Sequence, residues 1–170
     1  MVLEIIVWVD CCFIIMQLDI KEQSLILEGK KYSRKELMSL SANATGDNTS
    51  SFLLDLYRFL ADWFSDSPFM TVHTSGSTGT PKVLTVRKEQ MMQSARMTCE
   101  FLNLHTGDTA LLCMPLQYIA GKMMVVRALV AGLNLILRTP SGHPLADVTV
   151  PLRFVAMVPL QVFNTLQVLR

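Results

Sequence analysis

The sequence predicts an α/β layered fold with a largely parallel sheet. Short apolar, β-branched runs of strand length alternate with segments whose apolar residues recur at helical spacing. The period changes abruptly after Ser67-Pro68, where helical spacing gives way to a short strand. Hydrophobic residues make up 51% of the 170 residues and charged residues 17%, a globular and rather apolar composition.

Taken in order, Leu25-Ile26-Leu27 and Lys31-Tyr32 read as two short strands around a turn at Glu28-Gly29-Lys30. Ser33 is placed to cap a short helix through Glu36 and Leu37, and the polar run Ser41–Ser50 reads as a loop. Phe52, Leu56, Phe59 and Trp63, broadened by Leu53, Leu60 and Phe64, form a helical stripe opposite Asp55, Arg58 and Asp62. Spacing of this kind reads as core rather than as an aromatic cofactor wall. Strands follow at Phe69–His73 and Val83–Val86, then a helix with Met91, Ala95, Thr98 and Leu102 on one face. Gly107-Asp108 turns the chain into a strand at Thr109–Met114. A helix near Lys122–Ala131, a strand Leu133–Leu137, a Pro/Gly-rich loop through Asp147, a strand Phe154–Val158 and a helix Leu160–Leu169 complete the alternation. There is no internal repeat and no low-complexity tract.

Fifteen basic residues balance fourteen acidic ones, so charge gives no reason to expect a nucleic acid or an anionic membrane as partner. Cys11, Cys12, Cys99 and Cys113 have neither zinc spacing nor a companion histidine cluster, and read as reduced thiols of a cytoplasmic protein. His73, His105 and His143 have no mutual spacing suited to metal binding or nucleophilic catalysis and read as loop or strand-end residues. Asp19, Asp47, Asp108 and Asp147 read as turn residues, and no metal ligands are assigned. The apolar start of the chain, residues 1–15, has no basic leader and is interrupted by Glu4 and Asp10. Its charge-free runs fall far short of the roughly 18 apolar residues of a membrane helix. It reads as an apolar extension, with Met16 as an alternative start.

The chemistry concentrates in Thr74-Ser75-Gly76-Ser77-Thr78-Gly79-Thr80-Pro81-Lys82. Gly76 and Gly79 allow a tight turn and close backbone approach, so that successive amides can cradle phosphate oxygens. Ser75, Ser77, Thr78 and Thr80 add hydroxyl donors, Pro81 stiffens the exit, and Lys82 supplies a positive charge. The spacing fits neither the Walker phosphate loop nor the dinucleotide fingerprint. A plain Ser/Gly linker is disfavoured, because the segment lies between apolar strands and ends in Pro-Lys.

Thr74–Lys82 matches the [ST]-S-G-[ST]-T-G-x-P-K signature and resembles the adenylate-forming (AMP-binding) superfamily of acyl-CoA synthetases, peptide-synthetase adenylation domains and luciferases. Pro115-Leu116-Gln117-Tyr118-Ile119-Ala120-Gly121 resembles that family's P-L-x-H-x-x-G segment, with Tyr118 where histidine is usual. Arg127, six residues beyond Gly121, and Ala131-Gly132-Leu133 look most like the o-succinylbenzoate–CoA ligases of menaquinone biosynthesis. Val158-Pro159-Leu160-Gln161 resembles a further strand-to-helix step of the family. On this resemblance, residues 16–170 are the N-terminal part of an AMP-binding domain and residues 1–15 lie outside it.

The resemblance implies an ATP-dependent ligase that first forms an acyl-adenylate and pyrophosphate, then a thioester with coenzyme A. Mg²⁺ would bridge phosphate oxygens. Thr74 to Thr80 and Lys82 would hold ATP phosphates, with Lys82 catalytic, while Tyr118, Gly121, Lys122 and Arg127 would line the site of a small-molecule carboxylic acid. A Y-G-x-[ST]-E segment, a ribose-binding aspartate and a late lysine are absent after Gly121, so the expectation is a truncated domain, inactive alone and self-associating through an exposed sheet edge. The alternatives are a non-catalytic phosphate-binding fragment and a different aryl or fatty acyl-CoA ligase.

Overall fold

A computed structural model of the chain describes residues 19–44, 49–74 and 82–168. The apolar extension, Met16 and the segment 75–81 lie outside the described residues.

A 3-10 turn at Ile20–Glu22, capped by the Asp19 carboxylate, leads into strand β1 (Ser24–Leu27) and strand β2 (Lys30–Ser33), an antiparallel hairpin. Glu28 (φ 48°) and Gly29 (φ 81°) both take the left-handed conformation, the pairing whose twist suits a two-residue hairpin. Glu28 tolerates it because the tip is sewn to a neighbouring strand. Its amide donates to Leu135 O (3.1 Å), its carboxylate accepts from Leu137 N (2.7 Å), and Gly29 N donates to Asn134 Oδ1 (2.8 Å).

Ser33 caps helix α1 (Arg34–Asn43) in a reciprocal box: its hydroxyl accepts from Glu36 N, and the Glu36 carboxylate accepts from Ser33 N at 2.8 Å. Those Ser33 hydrogen bonds hold the Glu36 carboxyl below its ordinary range. The helix runs past Leu37 and takes in Ser41–Asn43, which the polar composition had assigned to a loop. Ser39 and Ser41 donate their hydroxyls back to Lys35 O and Leu37 O, so residues that otherwise compete with helical backbone are accommodated within it.

Helix α2 (Ser51–Trp63) buries Phe52, Leu56, Phe59, Leu60 and Trp63, the stripe expected from the spacing. The Trp63 indole N–H donates to Gln23 Oε1 at 2.8 Å, so the buried ring keeps a polar partner.

Strands β3 (Phe69–His73) and β4 (Val83–Arg87) pair antiparallel as a separate two-stranded ribbon. Helix α3 (Lys88–Phe101) follows. Its buried row is Met91, Ala95 and Cys99, continued by Leu104. Thr98 is half-buried with its hydroxyl on Ser94 O, and Leu102 is an exposed cap residue, so these two do not share the inward face as expected.

The main sheet takes in strand β5 (Thr109–Leu112), strand β6 (Asn134–Leu137) and strand β7 (Phe154–Val155), in the order β2-β1-β6-β5-β7. Every pairing is parallel except β1 with β2. The sequence placed the ends of β5 and β7 at Met114 and Val158; both strands are shorter. Helix α4 (Ile119–Ala131) is the crossover between the adjacent parallel strands β5 and β6. It buries Met123, Met124, Val125, Val126, Ala128 and Leu129, and its nearly all-round apolar character follows from being enclosed. Gly132 (φ 68°) ends it in the left-handed conformation, its N–H on Ala128 O.

Side chains alternate across the sheet. Ala110, Leu112 and Leu135 join the large core with α1–α4, whereas Leu111, Cys113 and Ile136 form a second cluster with Leu145, Val148, Leu152, Val155 and Met157. Helix α5 (Pro159–Val168) leaves Leu160, Val162, Phe163 and Leu166 exposed. Among the described residues no helix is long and apolar enough to cross a membrane.

Cys99 and Cys113 are free and buried. Burial pushes the Cys113 thiol from 9.0 up to about 11. In the window between those values the unfolded thiol loses its proton while the folded one keeps it, so stability falls as pH rises. The full loss from Cys113 is roughly 2–3 kcal/mol. Cys99, also raised, acts in the same direction, while Lys88 and Lys122, both lowered by burial, act in the opposite one. The expected outcome is that Cys113→Ala flattens the fall in urea-derived stability between pH 9 and 11 relative to the parent. Equal slopes for the two proteins would contradict it.

Candidate active site

The described ends of the phosphate-loop candidate form a closed neck. β3 and β4 pair in register from Phe69↔Arg87 to His73↔Val83. Beyond them the Thr74 amide donates to Lys82 O at 3.0 Å, and the Lys82 amide donates to Thr74 Oγ1 at 3.3 Å. Ser75, Gly76, Ser77, Thr78, Gly79 and Thr80 lie outside the described residues. The loop therefore springs from a hydrogen-bonded ribbon whose two strands enter and leave side by side.

The base of this ribbon is anchored by a residue that the sequence did not single out. Lys88, the first residue of α3, is 2% exposed. Its amide donates to Pro68 O at 2.9 Å, and its ammonium to Ser65 O (2.9 Å) and Ser65 Oγ (3.2 Å) at the end of α2. Burial lowers its pKa, with the charges of Asp62 and Asp66 opposing. Nothing in the local pattern marked it, since a lysine opening a helix ordinarily faces water.

The second motif lies against the far end of β3. Tyr118 is the N-cap residue of α4 and forms a parallel bridge with His73, next to the loop neck. Gly121 is buried in the first turn of α4. A Cβ there would stand 2.8 Å from the Pro115 carbonyl carbon and 3.0 Å from Met114 O, inside van der Waals contact. Glycine at this position lets α4 start directly on the Met114–Pro115 backbone. His73, read from the sequence as a strand-end residue, does close β3, and its Nδ1 is buried without a partner among the described residues.

The two cations of α4 are not brought together. Five helical residues apart, they point about 140° away from each other around the axis. The Lys122 ammonium donates to Thr71 O of β3 at 2.6 Å, and burial lowers its pKa against the opposing charge of Asp62. The Arg127 guanidinium lies over the Phe154 ring, 5.8 Å from its centroid, with Nη1 3.8 Å from Met124 Sδ. Arg127 Nε is buried and has no partner among the described residues, and burial lowers the pKa of the group. Arg127 makes no salt bridge among the described residues. No group of three or more His, Cys, Asp or Glu converges there either.

Residues 9–166 match the sequence profile of the family described as AMP-binding enzyme. The chain belongs to that family. It is similar to an acyl-CoA synthetase (AMP-forming)/AMP-acid ligase II-like protein from Dyadobacter fermentans, at 36% identity over 76% of this chain and 37% of that one, with a TM-score of 0.66. It therefore spans about 37% of the length of that relative. The fold is also shared with an o-succinylbenzoate coenzyme A synthetase from Bacillus subtilis in complex with ATP and magnesium, at 14% identity over 89% of this chain and 50% of that one, TM-score 0.56. No curated protein matches the chain. Family membership bears out the resemblance read from the Thr74–Lys82 and Pro115–Gly121 motifs, and the mostly parallel sheet bears out the fold class.

The tight seat of α4 yields a direct expectation. Gly121→Ala forces a methyl into the Met114–Pro115 backbone, which cannot swing aside as a flexible side chain can. Overpacking of this kind costs about 1–3 kcal/mol. Urea unfolding of the variant should show that loss, whereas Gly142→Ala, whose Cβ meets only the Asn164 side-chain amide, should be far milder. Equal stabilities for the two variants would refute this account of the α4 seat.

Proposed function

We propose that the chain supplies the ATP-phosphate and acid-facing parts of an ATP-dependent acid–CoA ligase acting on o-succinylbenzoate, in cytoplasmic menaquinone biosynthesis. The observation that carries this reading is the closed Thr74–Lys82 neck lying beside Tyr118 through the His73–Tyr118 bridge. It supports the reading by setting Thr74 and Lys82 next to the start of the helix that carries Tyr118 and Gly121. Ser75 to Thr80 hold the β- and γ-phosphates, and Lys82 neutralises charge building on the departing pyrophosphate. Mg²⁺ would arrive with the nucleotide held by Ser75 to Thr80 and would supply charge neutralisation there, and coenzyme A thiol would displace AMP in the second half-reaction.

The choice of acid rests on Arg127. A half-buried guanidinium whose Nε is unpaired and which has no acidic neighbour in bonding distance among the described residues suits the second carboxylate of a dicarboxylic acid. Tyr118, at the other end of the same helix, forms the wall next to the loop neck, in place of the family's histidine.

The 170 residues alone should give no pyrophosphate exchange with ATP and o-succinylbenzoate, since they match about 37% of a related ligase. Robust exchange by the chain alone would overturn that. In a polypeptide joining these residues to the downstream ribose, adenine and lysine motifs, Lys82→Ala should lower turnover by roughly 10²–10³. Arg127→Ala should raise the KM for the acid and leave that for ATP unchanged. If benzoate or a fatty acid is used as well as o-succinylbenzoate, and Arg127→Ala changes neither KM, the dicarboxylate reading fails. The apolar face of α5 and the outer edge of β7 should also drive self-association of the isolated chain, which sedimentation velocity would detect.

A further inference from the structure

Lys122 stands where a cation is doubly disfavoured. It lies in the first turn of α4, at the positive end of the helix dipole, and it is partly withdrawn from water. A residue placed there for solubility would extend into solvent. Its ammonium instead reaches β3 and donates to Thr71 O at 2.6 Å, a short charge-assisted bond.

The position of that acceptor gives the contact its meaning. Thr71 and His73 are alternate residues of β3, so their backbone groups face the same edge. Thr71 is held there by Lys122, and His73 is bridged there to Tyr118. The edge of the ribbon is thus fastened to α4 at two successive same-side points, one given by backbone and one by the lysine. Two-stranded ribbons are marginal on their own. Among the described residues β3 and β4 pair with no other strand, so what fixes the ribbon's orientation comes from outside the strands. Lys122 faces about 140° away from Arg127, which leaves it badly placed to share an anion with that residue.

We infer that Lys122 is a positioning residue: it ties the strand leading into the phosphate loop to the helix of the acid-side motif, so that the loop keeps its place relative to α4. The inference rests on the loop's role proposed above, but it is tested separately from it. In the wild-type chain, ¹⁵N-detected spectra should show a Lys122 ammonium signal slow in exchange with water and coupled through the hydrogen bond to the Thr71 carbonyl carbon. A freely exchanging ammonium without that coupling would overturn the inference, whether or not the chain binds nucleotide. Lys122→Met should accelerate amide exchange in β3 and β4 while leaving β5 and β6 protected. It should also weaken MgATP binding, measured by calorimetry, by roughly tenfold, the worth of one charge-assisted hydrogen bond. Lys122→Arg, which can donate to the same carbonyl, should restore most of both. A loss confined to o-succinylbenzoate binding would make Lys122 a substrate contact instead, and unchanged MgATP affinity with lowered stability would make it structural only. If the wild-type chain fails to bind MgATP, the phosphate-loop proposal falls, and the coupling and exchange measurements still decide the tether. If Lys122→Met does not fold, the wild-type coupling decides alone.

Discussion

The contact between Gly121 and the Met114–Pro115 backbone fixes where α4 begins, and the geometry of the candidate site is referred to that point. Because no side chain intervenes, the first turn of α4 can seat against the connection that follows β5, and the helix is enclosed, burying residues around most of its circumference. Enclosure makes the helix rigid in position, since its neighbours close-pack on it from α3, β1, β5 and β6. A rigid α4 then places Tyr118 at its cap, Lys122 on the β3 side and Arg127 toward Phe154. These placements follow from one backbone contact that only glycine permits.

Local chemistry accounts for what could be read in the sequence. The Ser33–Glu36 box, the Phe52–Trp63 stripe and the Glu28-Gly29 turn each depend on residues within a few positions of one another. The nine residues of the phosphate-loop signature likewise carry their meaning in their order, although most of them lie outside the described structure. Pairing is different. Nothing near β3 and β4 says that they pair with each other while β1 finds β6 more than a hundred residues away, because register is settled by distant partners. Ser41–Asn43 were misread for a related reason: serine composition signals a loop only until its hydroxyl finds a carbonyl four residues back.

The site residues divide in the same way. Lys122 and Arg127 look alike in a linear reading, as two cations on one apolar helix that both suit an anionic substrate. Helical geometry separates them, and their surroundings separate them further: one donates to a strand carbonyl, the other rests on an aromatic ring with a nitrogen unpaired. Lys88 had no sequence signal at all. Its burial is a property of the junction between α2, β3 and α3, and a lysine there is tolerable only because Ser65 offers two oxygens and Asp62 and Asp66 lie near.

The ribbon that bears the phosphate loop is consequently held from three sides rather than by its own sheet. Met70 and Val72 bury one face, while Phe69, Val83 and Leu84 remain exposed on the strands, so packing secures it only in part. Lys88 closes its open end, Lys122 holds its middle, and Tyr118 meets it beside the neck. Each of these belongs to a helix boundary: the start of α3 for the first, the cap and first turn of α4 for the other two. Small shifts of either helix are therefore passed to the Thr74–Lys82 neck, because among the described residues the ribbon has no third strand to resist them. On the function proposed above, tethering the neck's ribbon to the helix that carries Tyr118 ties the phosphate and carboxylate ends of the site to one frame.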